Sequence, residues 1–227
     1  MFSRSSMNKI ISVSGFISSG KDSVAEYLIS EHGFKRVSFA GSLKDAVAAI
    51  FSWDRAMLDG LTKESREWRE QVDTWWAKRL KIKHLTPRWV LQQWGTEVCR
   101  VHFHNDIWVA AVENKLRSGS DNIVITDARF KNELDSIKSV SGTTIRVHRG
   151  AEPVWYAAAA DYNRGPDCNV NWATGKSILD RWHVHASEYS SVGLKYDFHL
   201  DNNDTLQVLY QQVDIIISQL SDRRGAK

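Results

Sequence analysis

The chain has 227 residues, of which 42% are hydrophobic, and a net charge of +3, which fits one α/β domain with a sizeable core. The charge is too small to indicate nucleic-acid binding by itself, and no apolar run approaches the ~20 residues of a membrane-spanning helix. The polar residues 1–8 lack the apolar core of a signal peptide, and Cys99 and Cys168 show no pairing pattern, so we expect a reduced, intracellular setting.

Strand-like and helix-like hydrophobic patterns alternate along the chain. The predicted strands are 8–14, 35–40, 122–126, 143–148 and 196–200. The predicted helices are 21–32, 42–51, 62–81, 86–101, 105–117, 131–140 and 205–220. Such alternation favours a parallel sheet flanked by helices, so the predicted fold class is α/β.

The segment from Gly150 to Ser191 interrupts this alternation, because it is only weakly periodic and mixes Trp, Arg and His with Pro and Gly. A segment this long is typical of a lid or binding loop, and a helical excursion of the core is the alternative. We predict a single domain with these parts: a core over about 8–60, 120–150 and 192–222, a helical region over about 61–118 and a lid over about 151–190.

The strongest motif runs from Gly15 to Ser23 and has the GxxxxGK spacing of a phosphate-binding P-loop. It lies between a predicted strand and a predicted helix, as that motif requires. Glycines let backbone N–H groups point at phosphate oxygens, and the helix N-terminus adds a favourable partial charge. The residues predicted to bind ATP are Gly15, Ser18, Ser19, Gly20, Lys21, Asp22 and Ser23, with Lys21 reaching the β- and γ-phosphates.

The residue after the P-loop lysine is usually a Ser or Thr that ligates Mg²⁺, but here it is Asp22, followed by Ser23. Asp22 could face the metal directly or through water. Ser23 could take over the hydroxyl role or bond the α-phosphate, and the sequence leaves this choice open.

Asp127 ends an apolar strand, which is the Walker B pattern of a carboxylate that serves the Mg²⁺ shell. Arg129 follows at the same strand end, where ligands bind in open α/β sheets. An arginine there can hold a phosphate through two parallel hydrogen bonds. The alternative is a surface arginine paired with Glu133.

The predicted helix from Thr86 begins with an N-cap threonine and Pro87 at the first helical position. Its apolar stripe consists of Val90, Leu91, Trp94, Val98 and Val101. Its polar row consists of Arg88, Gln92, Thr96 and Arg100, with Gln93 and Glu97 beside it. Such a row suits a nucleotide, because Gln and Glu can read a base edge and Arg can hold a phosphate; a solvated face is the alternative.

Further cations suit phosphoryl transfer, because donor and acceptor are both polyanions and the transition state spreads negative charge over the transferred oxygens. The candidates are Lys44, Arg149 and, in the predicted lid, Arg164, Lys176 and Arg181. Each alone is typical of an ordinary surface charge, and only the set indicates a phosphate site.

Several short motifs follow one another across about residues 8–220. They are Gly20 to Ser23, Ser38 to Ala40 with Leu43 and Lys44, Phe51 to Trp53, Thr86 to Arg88, Gln92 to Glu97 with Arg100, Asp127 to Glu133, His185 to Glu188, and Asp201 to Leu206. In this order they resemble the deoxynucleoside monophosphate kinases of tailed bacteriophages, relatives of the adenylate and guanylate kinases. That family has Gly-Lys-Asp followed by Thr or Ser, and the segment from Gly20 to Ser23 resembles this pattern.

The resemblance implies a P-loop NTPase fold and conversion of a deoxynucleoside monophosphate to its diphosphate with ATP and Mg²⁺. The catalytic residues that it implies are Lys21, Arg88, Asp127 and Arg129. For the acceptor it implies Arg88 and Arg129 at the phosphate and Gln93, Trp94 and Glu97 near the nucleoside; Lys44 and Gln92 are added from the charge and the polar row described above. For the metal shell it implies Asp127, and Asp22 and Ser23 are added from their place after Lys21. The predicted lid matches the family poorly.

Three other functions are open. Another small-molecule P-loop kinase, such as a dephospho-coenzyme A kinase, would share the loop but not segment 86–100, and a non-catalytic ATP-binding module would need only the loop. The basic run from Lys78 to Lys83 beside Trp75 and Trp76 could contact nucleic acid, although a solvated helix end is simpler. Expected partners are ATP and a deoxynucleoside monophosphate, with no stable nucleic-acid or membrane binding. The resemblance is compatible with a homodimer. The expected location is the cytoplasm, which would be that of the host cell if the protein is encoded by a phage.

Overall fold

A computed structural model describes residues 9–117, 121–167 and 171–225. The described residues divide into two compact units, one within Met1–Ser38 and Gly119–Lys227, the other within Phe39–Ser118. The second unit therefore begins earlier in the chain than the predicted helical region. Cys168 lies outside the described residues.

The first unit contains a five-stranded sheet whose paired strands are all parallel. Its strands are β1 (Ile10–Ser14), β2 (Lys35–Val37), β3 (Ile123–Ile125), β4 (Thr143–His148) and β5 (Phe198–Asp201). Their order is β2-β3-β1-β4-β5, so β1 lies at the centre. The predicted α/β class with a parallel sheet is confirmed.

Helices make up most of the remaining described chain. They are α1 (Lys21–His32), α2 (Gly41–Phe51), α3 (Arg55–Asp59), α4 (Lys63–Arg69), α5 (Thr74–Leu80), α6 (Pro87–Gln92), a π-helix (Gln93–Phe103), α7 (Ile107–Leu116), α8 (Lys131–Ser139), α9 (Tyr156–Asn163), α10 (Trp172–Arg181), α11 (Ala186–Tyr189) and α12 (Leu206–Gly225). No helix among the described residues is both long and apolar enough to cross a membrane.

The core of the first unit lies between the central strands and helices α1 and α12. The strands contribute Ile11, Val13, Val124, Ile145 and Val147, and the helices contribute Val24, Leu28, Leu209 and Val213. Each buried side chain of this kind contributes about 1.5–3 kcal/mol to folding. This packing holds the carboxyl ends of β1, β3 and β4 beside one another.

The second predicted strand is shorter than expected. It ends at Val37, where the prediction extended to Ala40. Its only described neighbour is β3, a strand of three residues, and the ladder pairs Lys35 with Ile123 and Val37 with Ile125. Beyond Val37 the chain turns into α2.

The predicted single helix over 62–81 is wrong, because α4 and α5 are separate helices. The carboxylate of Asp73 accepts a hydrogen bond from the backbone N–H of Trp76 (3.0 Å) and another from the indole N–H of Trp53 (2.8 Å). An aspartate bonded in this way starts a new helix, because it satisfies a backbone donor at the helix N-terminus.

The helix predicted from Thr86 starts as expected but changes type. The Thr86 hydroxyl accepts from the backbone N–H of Trp89 at 3.1 Å, which confirms the N-cap. After Gln92 the chain is a π-helix, whose wider repeat shifts the phase of the faces. The predicted faces are therefore wrong here: Arg100, expected in the polar row, is buried, whereas Val101, expected in the apolar stripe, is 64% exposed.

The segment over 151–190 is helical in its described part. Helices α9 and α10 pack together around Ala159, Leu179 and Val192. Its secondary structure therefore follows the helical alternative, and its role as a lid stays a prediction.

Candidate functional site

The glycine-rich loop joins the end of β1 to the start of α1 at the centre of the sheet. Gly20 forms the N-cap of α1 with φ 99°, a left-handed conformation that favours glycine. A Cβ atom on Gly15 would lie 2.6 Å from the carbonyl oxygen of Val147. The loop therefore has the curled backbone and close neighbour contacts that a phosphate-binding loop needs.

Asn202, directly after β5, is hydrogen-bonded to this loop. Its side chain is 5% exposed, and its Nδ2 donates to the carbonyl of Ser19 at 2.9 Å. Its backbone N–H donates to the carbonyl of His148 at 2.9 Å. Asn202 was not among the predicted site residues, although its position at a strand end within the motif Asp201 to Leu206 was a usable signal.

The loop also contacts the helical segment that follows β4. The ring of Phe16 lies edge-on to Trp155 and Tyr156, with centroids 5.5 and 6.1 Å away. The guanidinium of Arg146 stands 5.8 Å from the centre of the Phe16 ring and forms an ion pair with Glu152. The segment predicted as a lid thus packs directly on the phosphate loop.

The first turn of α1 contains the predicted lysine and metal-shell residues. Lys21 Nζ lies 3.6 Å from Asp22 Oδ2, and the Lys21 side chain is 18% exposed. Asp22 Oδ1 lies 3.5 Å from a guanidinium nitrogen of Arg36 on β2. Ser23 is half-buried in the same turn.

Two more loop serines were predicted to bind the donor phosphates. Ser18 is exposed with φ 63°, and Ser19 is buried. The backbone N–H of Ser19 donates to the carbonyl of Phe16 at 3.1 Å. The structure therefore places all seven predicted ATP-binding residues on one loop and the helix turn that follows it.

Asp127 lies just after β3, next to the centre of the sheet. Its Oδ2 accepts a 2.6 Å hydrogen bond from the hydroxyl of Ser38, which follows β2. The hydroxyl of Ser14 donates to the carbonyl of Ala128 at 3.2 Å. These two bonds fix the Asp127 loop to both neighbouring strands.

Arg129 is held through its backbone. The buried Glu133 carboxylate accepts from the N–H groups of Arg129 (2.7 Å) and Phe130 (3.1 Å). The Arg129 guanidinium donates to the carbonyl of Ser187 at 3.3 Å. Arg129 is thus an exposed arginine, as in the alternative, but its side chain does not pair with Glu133: Glu133 binds the backbone of Arg129, and the guanidinium bonds Ser187.

The carbonyl that meets Arg129 belongs to the short helix α11. His185 is its N-cap: its Nδ1 accepts from the backbone N–H of Ser187 at 3.2 Å and lies 2.8 Å from the Ser187 hydroxyl oxygen. The motif from His185 to Glu188 thus supports a contact of Arg129, a role that its sequence did not indicate.

In the second unit, Lys44 belongs to an ion-pair network. Its Nζ donates to Asp59 Oδ1 at 3.0 Å, its side chain is 13% exposed, and Arg55 lies 2.8 Å from Asp59 Oδ2. Burial raises the pKa of Asp59, but hydrogen bonds from Arg55 and Lys44 outweigh burial and hold that pKa below its ordinary value.

The other predicted acceptor residues of this unit lie on α6 and the π-helix. Arg88 forms an ion pair with Glu70. Trp94 packs edge-on to Phe51 at a centroid distance of 5.8 Å, within the apolar cluster of the unit. Gln92, Gln93 and Glu97 on the same stretch are half-buried. The structure brings Arg88, Gln92 and Gln93 onto adjoining turns.

The three predicted lid cations make only local contacts or are exposed. Arg164 pairs with Asp161 at 3.1 Å, and Lys176 pairs with Asp180 at 2.6 Å on α10. Arg181 is exposed at the end of the same helix. Such pairs are ordinary for helix surfaces and do not by themselves identify a phosphate ligand.

The residues predicted for Mg²⁺ offer suitable ligand atoms. Asp22, Ser23 and Asp127 supply the oxygen ligands that this ion prefers. Within 9–117, 121–167 and 171–225, no group of three His, Cys, Asp or Glu residues could hold a metal. Mg²⁺ sites commonly take one or two protein carboxylates and complete the shell with substrate phosphates and water.

No known protein-family model matches the chain. A protein of Acanthamoeba polyphaga mimivirus named "Putative deoxynucleotide monophosphate kinase" is 28% identical over 219 residues, which cover 90% of this chain and 93% of that protein. The chain is thus similar to this viral protein along nearly its whole length.

Solved structures of two kinases are also similar to this chain. A gluconokinase from Sinorhizobium meliloti 1021 is 14% identical with a TM-score of 0.43, covering 96% of this chain and 97% of its own. A shikimate kinase from Aquifex aeolicus is 13% identical with a TM-score of 0.41, covering 95% and 99%. Likeness at this level does not bear on substrate or activity.

Proposed function

We propose that the protein is a P-loop kinase that transfers the γ-phosphoryl group of ATP to a deoxynucleoside monophosphate. The observation that carries the kinase assignment is the central glycine loop, with Lys21 opening α1 and Asp127 just after the adjacent strand β3. The acceptor class is supported by the ordered motifs of the sequence and by the name of the viral relative.

The donor phosphates would bind at the loop between β1 and α1. Backbone N–H groups of the loop and the N-terminus of α1 attract the phosphate oxygens, and the ammonium group of Lys21 reaches the β- and γ-phosphates. Mg²⁺, when bound to the oxygens of Asp22, Ser23 or Asp127, would neutralise charge on the transferred group. Asn202 and Ser38 keep this surface rigid.

The acceptor supplies its own nucleophile, a phosphate oxygen. Because the second pKa of a phosphate monoester is about 6, this oxygen is mostly ionised at neutral pH and needs no strong general base. Arg129 would orient the acceptor phosphate, and Arg88 would exchange the carboxylate of Glu70 for phosphate. Gln93, Trp94 and Glu97 keep their predicted roles toward the nucleoside.

Exclusion of water would fall to the helical segment after β4. Its contact with Phe16 couples it to the loop that holds the donor. A segment that closes there would limit wasteful ATP hydrolysis.

The direct test is turnover by the purified full chain with ATP and Mg²⁺, measured as ADP formation. Each deoxy- and ribonucleoside monophosphate and dephospho-coenzyme A are offered in turn as the acceptor. We expect turnover with one or more deoxynucleotides and little with ribonucleotides. Turnover only with dephospho-coenzyme A would assign a different acceptor. ATP binding without transfer to any of these acceptors would favour the non-catalytic module.

The control variant is Lys21→Ala. We expect it to lose at least about a hundredfold in turnover, because a cation aimed at the transferred phosphoryl group is removed. A Lys21→Ala variant with full activity would contradict the mechanism.

A further inference from the structure

The phosphate loop of this protein has a negative charge where phosphates are expected to bind. Asp22 lies in the first turn of α1, one residue after Lys21. The side chain is 44% exposed, so its charge faces the loop surface rather than the core. Unless that charge is offset, it repels a polyanionic ligand and competes for Lys21.

Arg36 on β2 supplies the offsetting charge. Its guanidinium lies 3.5 Å from Asp22 Oδ1, while Lys21 lies 3.6 Å from the other oxygen, Oδ2. The Arg36 side chain is 24% exposed, so it is more shielded from solvent than its partner. The Asp22 carboxylate is thus held between two cations, of which only Lys21 belongs to the glycine-loop motif.

We propose that Arg36 is a positioning residue of the donor site: it holds and neutralises Asp22, so that Lys21 is released to bind phosphate. This rests on the proposed ATP-binding function, with Ser23 and Asp127 rather than Asp22 holding Mg²⁺, and extends it to a residue outside the P-loop. When donor phosphates arrive, Lys21 turns from Asp22 toward them and Arg36 stays as the counter-charge. Arg36 has no contact with the nucleotide in this scheme.

The neighbouring residue offers a matched control. Lys35 is on the same strand, carries the same charge and forms an ion pair with Asp121 at 2.9 Å. Its side chain is 67% exposed, and its partner Asp121 lies just before β3 rather than in the phosphate loop. If any charge on this strand affected ATP binding merely by supporting the strand, both Lys35→Gln and Arg36→Gln should weaken ATP binding.

The experiment is a double-mutant cycle in which calorimetry measures the binding of ATP with Mg²⁺ to the full chain without acceptor. We expect Arg36→Gln to weaken binding about three- to fivefold, the upper part of the range for a partly exposed charge pair. In the Asp22→Asn background the same change should cost less than about twofold, because the charge to be offset is gone. Lys35→Gln should bind ATP like the wild type, and melting midpoints without ligand measure the loss of stability in each variant separately from the loss of ATP binding.

Two results would overturn the proposal: unchanged ATP binding in Arg36→Gln, or an equal loss from this change in the wild-type and Asp22→Asn backgrounds. A wild-type chain that binds no ATP would overturn it together with the proposed function. Failure of every nucleoside monophosphate as acceptor, with the cycle as expected, would refute only the acceptor assignment, since the cycle uses no acceptor.

Discussion

Asn202 and Glu133 each hold backbone of the candidate site in place without being predicted to touch a ligand. Asn202 bonds the carbonyl of Ser19 in the phosphate loop, and Glu133 bonds the N–H groups of Arg129 and Phe130. Both side chains are almost fully buried. Because a buried backbone group that loses its partner keeps its full desolvation cost, such residues are demanding to replace.

Asn202→Ala should weaken ATP binding and lower stability. The change removes the amide that bonds the Ser19 carbonyl, at a cost of about 1–3 kcal/mol in the free energy of unfolding. We expect ATP affinity to fall about tenfold as the loop loses its fixed shape. Urea denaturation and ATP titration measure the two effects. Asn203→Ala, a change at the exposed neighbour, is the control, and equal effects of both variants on ATP affinity would contradict this account.

Glu133 provides a comparison of two substitutions at one position. Glu133→Ala leaves two backbone N–H groups without their acceptor, so we expect a loss of about 1–3 kcal/mol in stability. It should also lower kcat/KM for the acceptor, because Arg129 loses its fixed position. Glu133→Gln keeps a carbonyl oxygen at the same place and should retain most of the stability and most of the kcat/KM for the acceptor. Equal losses in the two variants would show that the charge, and not the hydrogen bonds, matters.

At the scale of the element, the stretch from Thr86 to Phe103 decides which side chains the second unit buries. An α-helix throughout would have exposed Arg100 with the polar row. The π-helix instead buries Arg100, whose guanidinium donates to the carbonyl of Asn105 at 2.8 Å. The indole N–H of Trp108 donates to the Gly95 carbonyl at 2.8 Å, so α7 bonds directly to this stretch. These two hydrogen bonds thus stabilise the π-helix in place of a regular α-helix.

The start of α6 is suited to a stability measurement. Thr86→Ala removes the hydroxyl that caps the N–H of Trp89 and should lower the free energy of unfolding by about 1 kcal/mol. Thr86→Ser keeps a capping hydroxyl and should lower the free energy of unfolding by less. The midpoints of urea denaturation at equal slope compare the variants. Equal midpoints for Ala and Ser would mean that the cap contributes nothing.

At the scale of the whole molecule, each of the two compact units has its own apolar core. The first is built on aliphatic residues of the central strands. The second is rich in aromatic residues, with Phe51 stacked on Trp53 at 4.4 Å and in contact with Trp76. Most of the tryptophans in this cluster act in packing, as their large apolar area favours.

The ion-pair network of the second unit predicts sensitivity to acid. The pKa of Asp59 is lower in the folded state than its ordinary value of 3.8, so the unfolded chain binds the proton more readily. The stabilisation is therefore present at neutral pH and is lost as the pH falls below about 3.8 through the folded-state pKa. Asp59→Asn should be less stable than the wild type at pH 7, and this difference should shrink on acidification.

Urea denaturation followed by tryptophan fluorescence at pH 7 and at stepwise lower pH tests this. Asp45→Asn is the control, because Asp45 shares Arg55 but is 59% exposed, so it should cost less stability at pH 7. A stability difference between Asp59→Asn and wild type that stays constant down to pH 3 would contradict the assignment.

The sequence by itself determined the parts of the fold that depend on neighbours along the chain. Apolar runs predicted β1 and β4, and the helix predicted over 21–32 has the bounds of α1. Thr86 and Pro87 predicted the start of α6. These predictions are confirmed because strand burial, glycine conformation and helix capping are settled within a few residues.

Only the tertiary structure decided the features that join distant parts of the chain. Asn202 meets Ser19 across 183 positions, and Ser38 meets Asp127 across 89. The pairing of Arg36 with Asp22 depends on how β2 lies against α1. The π-helix and the burial of Arg100 are likewise packing outcomes that no local pattern contains. A sequence pattern specifies which residues can share a face, but hydrogen bonds between strand ends exist only once the sheet has formed.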